Sequence, residues 1–386
     1  MMSDKRTYLD WNASAPIYPE VIEAMVKALS QGGNASSVHC EGRNAHGAIE
    51  AAREQVAQLI NAESRDIVFT SGGSEANNLA LTGLAANGTV DRILISAVEH
   101  PSVMAFANLD GVQVSLVGVD ANGVVELEAL EACLSKAAAA NEKTLVSIMW
   151  ANNETGVIQP IEDIVKLARA HQCLVHCDAV QALGKIPVDF AASGVDLMSL
   201  SAHKIGGPQG AGALVVRSSL VLAPVFKGGG QELGRRAGTE NLGGIVGFGR
   251  AAELIGNENH DAEIVRLRNR LESEIRKLRS DVVIFGEDQK RLPNTSCVAV
   301  TGVTAEALLI MLDLSGVAVS SGSACSSGKV APSHVLSAMG VKDTVAKTAI
   351  RISLGRTTTQ QDIEIFLNAW SKAVGTTTKQ NATAAA

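Results

Sequence analysis

Lys204 follows a histidine at the end of an apolar run, VDLMSL at 195–200, and a glycine-rich turn comes after it, so that residues 201–210 read SAHKIGGPQG. A lysine amine forms a Schiff base with an aldehyde where its surroundings control its protonation. The glycines let the backbone bend sharply and approach a bound group closely. Taken alone, the string fits a surface lysine on a strand-to-helix turn at least as well. A second reactive group, Cys325, lies in SSGSACSSGK at 320–329, where no bulky residue stands between Ser320 and Gly328. That composition is expected of a mobile loop, on which a thiol can visit a substrate and swing out again. A connector that happens to contain a cysteine would read the same way.

Other polar residues stand where apolar runs end. After IVFT comes Ser71-Gly72-Gly73-Ser74, a turn opening a helix, whose N–H groups and Ser74 hydroxyl suit a phosphate. An ordinary serine-capped helix start has the same look. After RILIS comes His100, able to stack on a ring and exchange protons near neutral pH, or simply structural. After TLVSIMW comes Ala151-Asn152-Asn153-Glu154-Thr155-Gly156, a polar turn. After CLVHC comes Asp178, a carboxylate that is costly at a strand end unless paired; a protonated pyridine nitrogen would be one such partner.

These residues need a scaffold that lines up strand ends, and the chain has its signature. Seven short apolar runs, at 67–70, 92–96, 114–119, 144–150, 173–178, 195–200 and 212–217, alternate with helical patterns such as Ser74–Ala85 and Pro160–His171. Their Val/Ile/Leu content, without strict alternation, predicts strands buried on both faces of a mostly parallel sheet. Ligands bind at the carboxyl ends of such strands. The reading is therefore α/β, a mostly parallel mixed sheet flanked by helices. A large domain is expected over 14–257, a smaller α+β domain over 1–13 plus 258–375, and a frayed tail over 376–386.

Composition narrows the class. The 386 residues are 46% hydrophobic and 19% charged, as in globular proteins, and the net charge of −7 without a basic block argues against nucleic acid. No apolar run is long enough to span a membrane, and MMSDKRTYLDWN lacks the core of a secretion signal, so the cytoplasm is the expected compartment. Six cysteines are too sparse for a disulfide scaffold. Cys173, His176 and Cys177 invite zinc, but strand alternation sends the histidine to the opposite face and no second ligand pair follows, so no resident metal is expected. The cysteines other than Cys325 are read as packing residues.

Read together and in order, the strand-end segments carry a resemblance. FTSGGSEANN at 69–78, SAVEHPSV at 96–103, WANNETGVIQP at 150–160, HCDAVQALGK at 176–185, SLSAHKIGGPQG at 199–210, GRRAGTEN at 234–241, SSGSACSSGK at 320–329 and RISLGR at 351–356 make the chain similar to the pyridoxal phosphate enzymes of the aspartate aminotransferase fold (fold type I). Within them it resembles the NifS/IscS group of cysteine desulfurases, in the class-V aminotransferase family. The resemblance runs from Leu9 to Arg356.

What it implies is specific. Lys204 would carry the cofactor, Asp178 would keep the pyridine nitrogen protonated, Gln181 would bond the ring hydroxyl and His100 would stack on the ring. Ser74, Ser201, His203 and the Gly73 N–H would bind the phosphate. Thr239 would reach the phosphate of a neighbouring subunit, implying a homodimer with shared sites. Asn152 and Arg351 would hold the substrate carboxylate. Lys204 would move the Cα proton, His100 would manage protons at the thiol or the departing carbon, and Cys325 would take sulfur from L-cysteine as a persulfide, leaving alanine. The persulfide would pass to an iron–sulfur scaffold, where Cys325 would bridge transiently to the cluster, or to another acceptor.

The segment around Cys325 is unlike that of the sister SufS group. Housekeeping members carry a C-terminal extension for scaffold docking where this chain ends in GTTTKQNATAAA, so nitrogenase-type and general roles stand equally open. Another pyridoxal phosphate lyase or aminotransferase, selenocysteine lyase included, is the alternative reading, and a cofactor-binding scaffold without turnover is a third.

Overall fold

The computed structural model describes residues 6–108, 111–256, 261–322 and 333–384. Its strands, in chain order, are β1 (Thr7–Tyr8), β2 (Ile67–Thr70), β3 (Arg92–Ser96), β4 (Gln113–Val117), β5 (Thr144–Ser147), β6 (Leu174–Asp178), β7 (Leu197–Ser201), β8 (Gly212–Val216), β9 (Val283–Ile284), β10 (Thr295–Ala299), β11 (Val317–Ala318), β12 (Ser320–Ser321) and β13 (Ile350–Ser353). All seven apolar runs between 67 and 217 enter one sheet, in the order β2-β8-β7-β6-β5-β3-β4. β8 pairs antiparallel with both β2 and β7, and the other pairings are parallel, so β8 alone runs against the rest. β2, β3, β5, β7 and β8 are buried at every residue because helices cover both faces, whereas β4, at the edge, is partly exposed.

The helix after β2 spans Gly73–Ala86 and is capped by Gly72, so Ser74 lies inside its first turn rather than at its cap. The helix expected from Pro160 spans Ile161–Ala170, with Pro160 just outside it at φ −78° and ψ 69°, a non-helical pair. After β7 a single tight turn, Ala202–Lys204, leads into Gly206. Gly206 has φ +78°, and a Cβ there would fall 2.4 Å from the Tyr18 ring, so only glycine lets the turn close against the N-terminal segment.

A second sheet, β12-β13-β10-β9, is antiparallel throughout. One apolar cluster on it gathers Leu9, Leu267, Leu312, Ile352, Phe366 and Trp370, while Cys297 and Ala299 join the core of the large sheet. β1 and β11 form a separate parallel pair, and a bridge between Asp10 and Ser353 of β13 ties the N-terminal segment to the second sheet. The last helix runs from Gln360 to Ala384, so the backbone is helical through most of the segment that composition led us to expect frayed. Its apolar residues Ile363, Phe366 and Trp370 are packed, and a helix so anchored extends by one hydrogen bond per added residue.

One loop is held by a buried ion pair. Glu232 and Leu233 adopt left-handed φ values of 47° and 57°. Glu232 is pinned by Arg53 at 2.7 Å and by the Phe69 N–H at 2.9 Å, which fixes the exit into GRRAGTEN. Removing one partner of such a pair leaves an uncompensated buried charge, a loss of roughly 3–5 kcal/mol.

Candidate active site

The carboxyl ends of the strands converge on an open cavity of ≈ 830 Å³. β6 delivers Asp178, the turn after it Gln181, β7 Ser201, the turn after β7 His203 and Lys204, the turn after β3 His100, and the helix start after β2 Gly73 and Ser74. Arg351 reaches the same cavity from β13 of the second sheet. Nine residues singled out in the sequence thus meet in one place.

Asp178 is 5% exposed; its Oδ2 accepts from Asn77 Nδ2 at 2.7 Å and its Oδ1 from the Val180 N–H at 3.0 Å. Two donors hold the carboxylate in place. The same Asn77 amide nitrogen donates to Ser102 Oγ at 2.9 Å. Beside Asp178, His176 sits between Ser147 and Ser199, and burial holds its pKa down to about 4. It is a neutral structural ring, and among the described residues no metal-ligating cluster occurs.

His100 accepts the Ser102 N–H on Nδ1 at 3.1 Å. A backbone N–H can only donate, so Nδ1 must carry a lone pair, and the neutral ring has its proton on Nε2. Burial lowers the His100 pKa, and nearby Lys204 and His334 add to this against the pull of Asp178. His203 falls further, to about 4, through burial and the adjacent lysines Lys204 and Lys185. Lys204 Nζ donates to Asn12 O at 2.7 Å and Ala13 O at 2.9 Å, both from the N-terminal segment.

Arg351 is 2% exposed; its Nη2 pairs with Asp10 Oδ1 at 2.7 Å and its Nη1 donates to Asn153 O at 3.0 Å. Nε has no partner among the described residues. The orienting role of Asp10 has no signal in the sequence, since 341 positions separate the pair.

Two expected residues fall elsewhere. Asn152 does not line the cavity. Its Oδ1 accepts the N–H groups of Glu154 and Thr155, both at 2.9 Å, and its Nδ2 donates to Val98 O at 3.0 Å. Its Nδ2 also reaches Met149 Sδ at 3.4 Å, so both ends of the amide are engaged in the turn, and the neighbouring Asn153 lines the cavity instead. Thr239 is exposed, in a separate groove with Arg236 and Glu240. Cys325 lies outside the described residues.

Of the other cysteines, Cys173, Cys177 and Cys297 are buried with thiol pKa values raised by desolvation, whereas Cys40 is exposed and so is not the packing residue it was read as. The further lining residues Asn12, Asn77, Ser102 and Met149 were not singled out from the sequence. The signal for Asn77 was present: it stands three residues after Ser74, within the quoted FTSGGSEANN segment.

Glu154, in the turn that Asn152 builds, is enclosed and lies against Ser333 Oγ. Burial raises its pKa to about 7 from an ordinary 4.5. An acid raised in this way favours the folded state fully below its unfolded pKa, and the contribution fades as pH rises through the folded value. Glu154→Gln removes this dependence. The stability of the parent relative to this variant is expected to fall by roughly 3 kcal/mol between about pH 4.5 and 7.5. Urea unfolding at four pH values measures it, and a gap that stays constant with pH refutes the assignment.

The site also fits a phosphorylated pyridine aldehyde. Ser201 Oγ is buried without a partner among the described residues, an unmet donor at a strand end. The helix from Gly73 has no side-chain cap, so its first N–H groups and positive dipole end face the cavity. A Cβ on Gly73 would fall 2.7 Å from Val180 Cγ2, so glycine keeps this approach open. Asp178 offers a held carboxylate for a ring nitrogen, and Lys204 an amine for an aldehyde.

Fold and site together define a pyridoxal phosphate enzyme, and residues 7–366 match the model of the aminotransferase class-V family; the chain belongs to that family, whose cofactor is pyridoxal phosphate. A cysteine desulfurase of Cereibacter sphaeroides is 45% identical over 94% of each chain. The crystal structure of a NifS-like protein of Rickettsia africae superposes with a TM-score of 0.88 at 38% identity, covering 96% of this chain and all of that one. SspA in complex with cysteine superposes with a TM-score of 0.79 at 33% identity, over 90% of this chain and 98% of that one. Among the class-V aminotransferases, the chain is a cysteine desulfurase.

Proposed function

We propose that this enzyme takes sulfur from L-cysteine, releases L-alanine and carries the sulfur on Cys325 as a persulfide. The observation that carries the reading is the convergence of Lys204, Asp178, Gln181, His100 and the unmet Ser201 hydroxyl on one cavity, with Arg351 entering from the second sheet. Pyridoxal phosphate, when bound, supplies a carbonyl for the substrate amine and an electron sink for negative charge at the substrate Cα. Asp178 holds the ring nitrogen protonated, Gln181 donates to the ring oxygen, and Ser74, Ser201, His203 and the Gly73 N–H hold the phosphate.

Arg351 anchors the substrate carboxylate; a guanidinium presents several N–H groups in one plane and stays charged when buried. Lys204 Nζ takes the proton from Cα. His100 Nε2 holds a proton at the substrate thiol or at the departing carbon. The Cys325 thiolate attacks the substrate sulfur, so that an S–S bond forms as the C–S bond breaks and the electron pair returns to carbon, which takes up a proton.

The acceptor is read as an iron–sulfur scaffold, reached by direct transfer. Thr239, exposed in its own groove, supports a homodimer in which it serves the partner's phosphate. No helix among the described residues is long and apolar enough to cross a membrane; together with the acidic net charge this supports the cytoplasm as the place of work.

Turnover decides between the readings. With cysteine and a thiol reductant, alanine and sulfide are expected in equal amounts. Pyruvate and ammonia in place of alanine would make the enzyme a lyase, and a yellow protein without turnover would make it a scaffold.

A further inference from the structure

The turn after β6 places Gln181 and Lys185 four residues apart on one face, through bonds from Lys185 N to Ala182 O and from Leu183 N to Ala179 O. Lys185 Nζ donates to Gln181 Oε1 and, at 3.0 Å, to Asn12 Oδ1. Gln181 Nε2 donates to Asn12 O at 2.9 Å. Asn12 is itself held, its Oδ1 by Asn294 at 3.1 Å and its Nδ2 by Thr295 Oγ1 at 2.9 Å. A polar web therefore joins the N-terminal segment, the second sheet and the turn that carries Gln181, directly behind Lys204.

This web decides which end of the Gln181 amide faces which neighbour. Turned over, the amide would set Oε1 against Asn12 O, two acceptors, and would take from the lysine amine the oxygen it now donates to. We propose that Lys185 is a positioning residue: by holding Gln181 Oε1 it makes the remaining Nε2 hydrogen the group that Gln181 offers to the ring oxygen of the cofactor. The inference rests on the reading of Gln181 as the partner of that oxygen. A donor there stabilises the oxygen's anionic form and weakens its hold on the proton of the Lys204–cofactor linkage.

The charged groups facing Lys185 are Lys204 from the turn after β7 and Arg351 from β13, with His203 beside Lys204; burial and both cations push the Lys185 pKa well down. Whatever charge Lys185 keeps acts in the same direction as its hydrogen bond, since a nearby cation also disfavours protonation of the linkage.

The test is the visible absorption of the cofactor-loaded protein titrated against pH without substrate. Lys185→Met is expected to raise the midpoint of the spectral transition by ~0.5–1 pH unit. Gln181→Leu should raise it at least as far, and the double variant no further than Gln181→Leu alone. An unmoved midpoint in Lys185→Met beside a moved one in Gln181→Leu overturns the role of Lys185, as does full additivity. An unmoved Gln181→Leu overturns the reading of Gln181 itself, and the inference with it. Should Lys185→Met not fold, Lys185→Gln, which keeps an N–H donor, is expected within ~0.3 unit of the parent; a midpoint displaced as far as that of Gln181→Leu refutes the proposal.

Discussion

Lys204→Ala is expected to leave a folded protein that binds pyridoxal phosphate without a covalent link and forms almost no alanine from cysteine. In the proposed mechanism two losses fall on one nitrogen, the tether to the cofactor and the base at the substrate Cα. Positioned proton transfer alone is worth roughly 10²–10⁴-fold, so a drop in kcat of at least ~10³-fold is expected. The fold should survive, because Lys204 is only half-buried and its bonds to Asn12 O and Ala13 O go to a turn that other contacts also hold. A primary amine added to the buffer should restore part of the rate, since the missing group is a small base. Alanine assay, reduction with borohydride and mass spectrometry check the three statements. Activity within tenfold of the parent would remove Lys204 from the mechanism.

Cys325→Ala is expected to separate proton handling from sulfur transfer. Alanine formation should fall to background, and no protein species heavier by one sulfur atom should appear after exposure to cysteine. Exchange of the substrate Cα hydrogen with heavy water should continue, because Lys204, Asp178 and Arg351 are untouched. No other thiol near the site can substitute: Cys173, Cys177 and Cys297 are enclosed, and desolvation keeps them as thiols rather than thiolates. Full alanine formation by Cys325→Ala would favour a lyase or aminotransferase on the same fold.

Much of the site was legible before the structure because it is written locally. A strand buried on both faces, a turn and a helix recur with a short period, and the polar residue after each apolar run marks the carboxyl end of a strand. Lys204, Asp178, His100 and Ser74 were found by that rule, and all line the cavity. Asn152 shows its limit. Two adjacent asparagines in one turn look alike in sequence, and which side chain closes the turn depends on the φ and ψ angles the turn adopts. Asn12 and Lys185 were invisible for another reason: their importance lies in bonds to Gln181 and Lys204, which ordinary local patterns do not report.

The sequence by itself determined the seven strands of a mostly parallel sheet, the cofactor and the family, since each follows from residue types at short spacing or from motifs kept in chain order. The tertiary structure alone decided that Asp10 holds Arg351, that Asn153 rather than Asn152 lines the cavity, and that Asn12 joins Gln181, Lys185 and Lys204. Those are contacts between segments as far as 341 residues apart, and their hydrogen bonds form only once chain closure has fixed both partners.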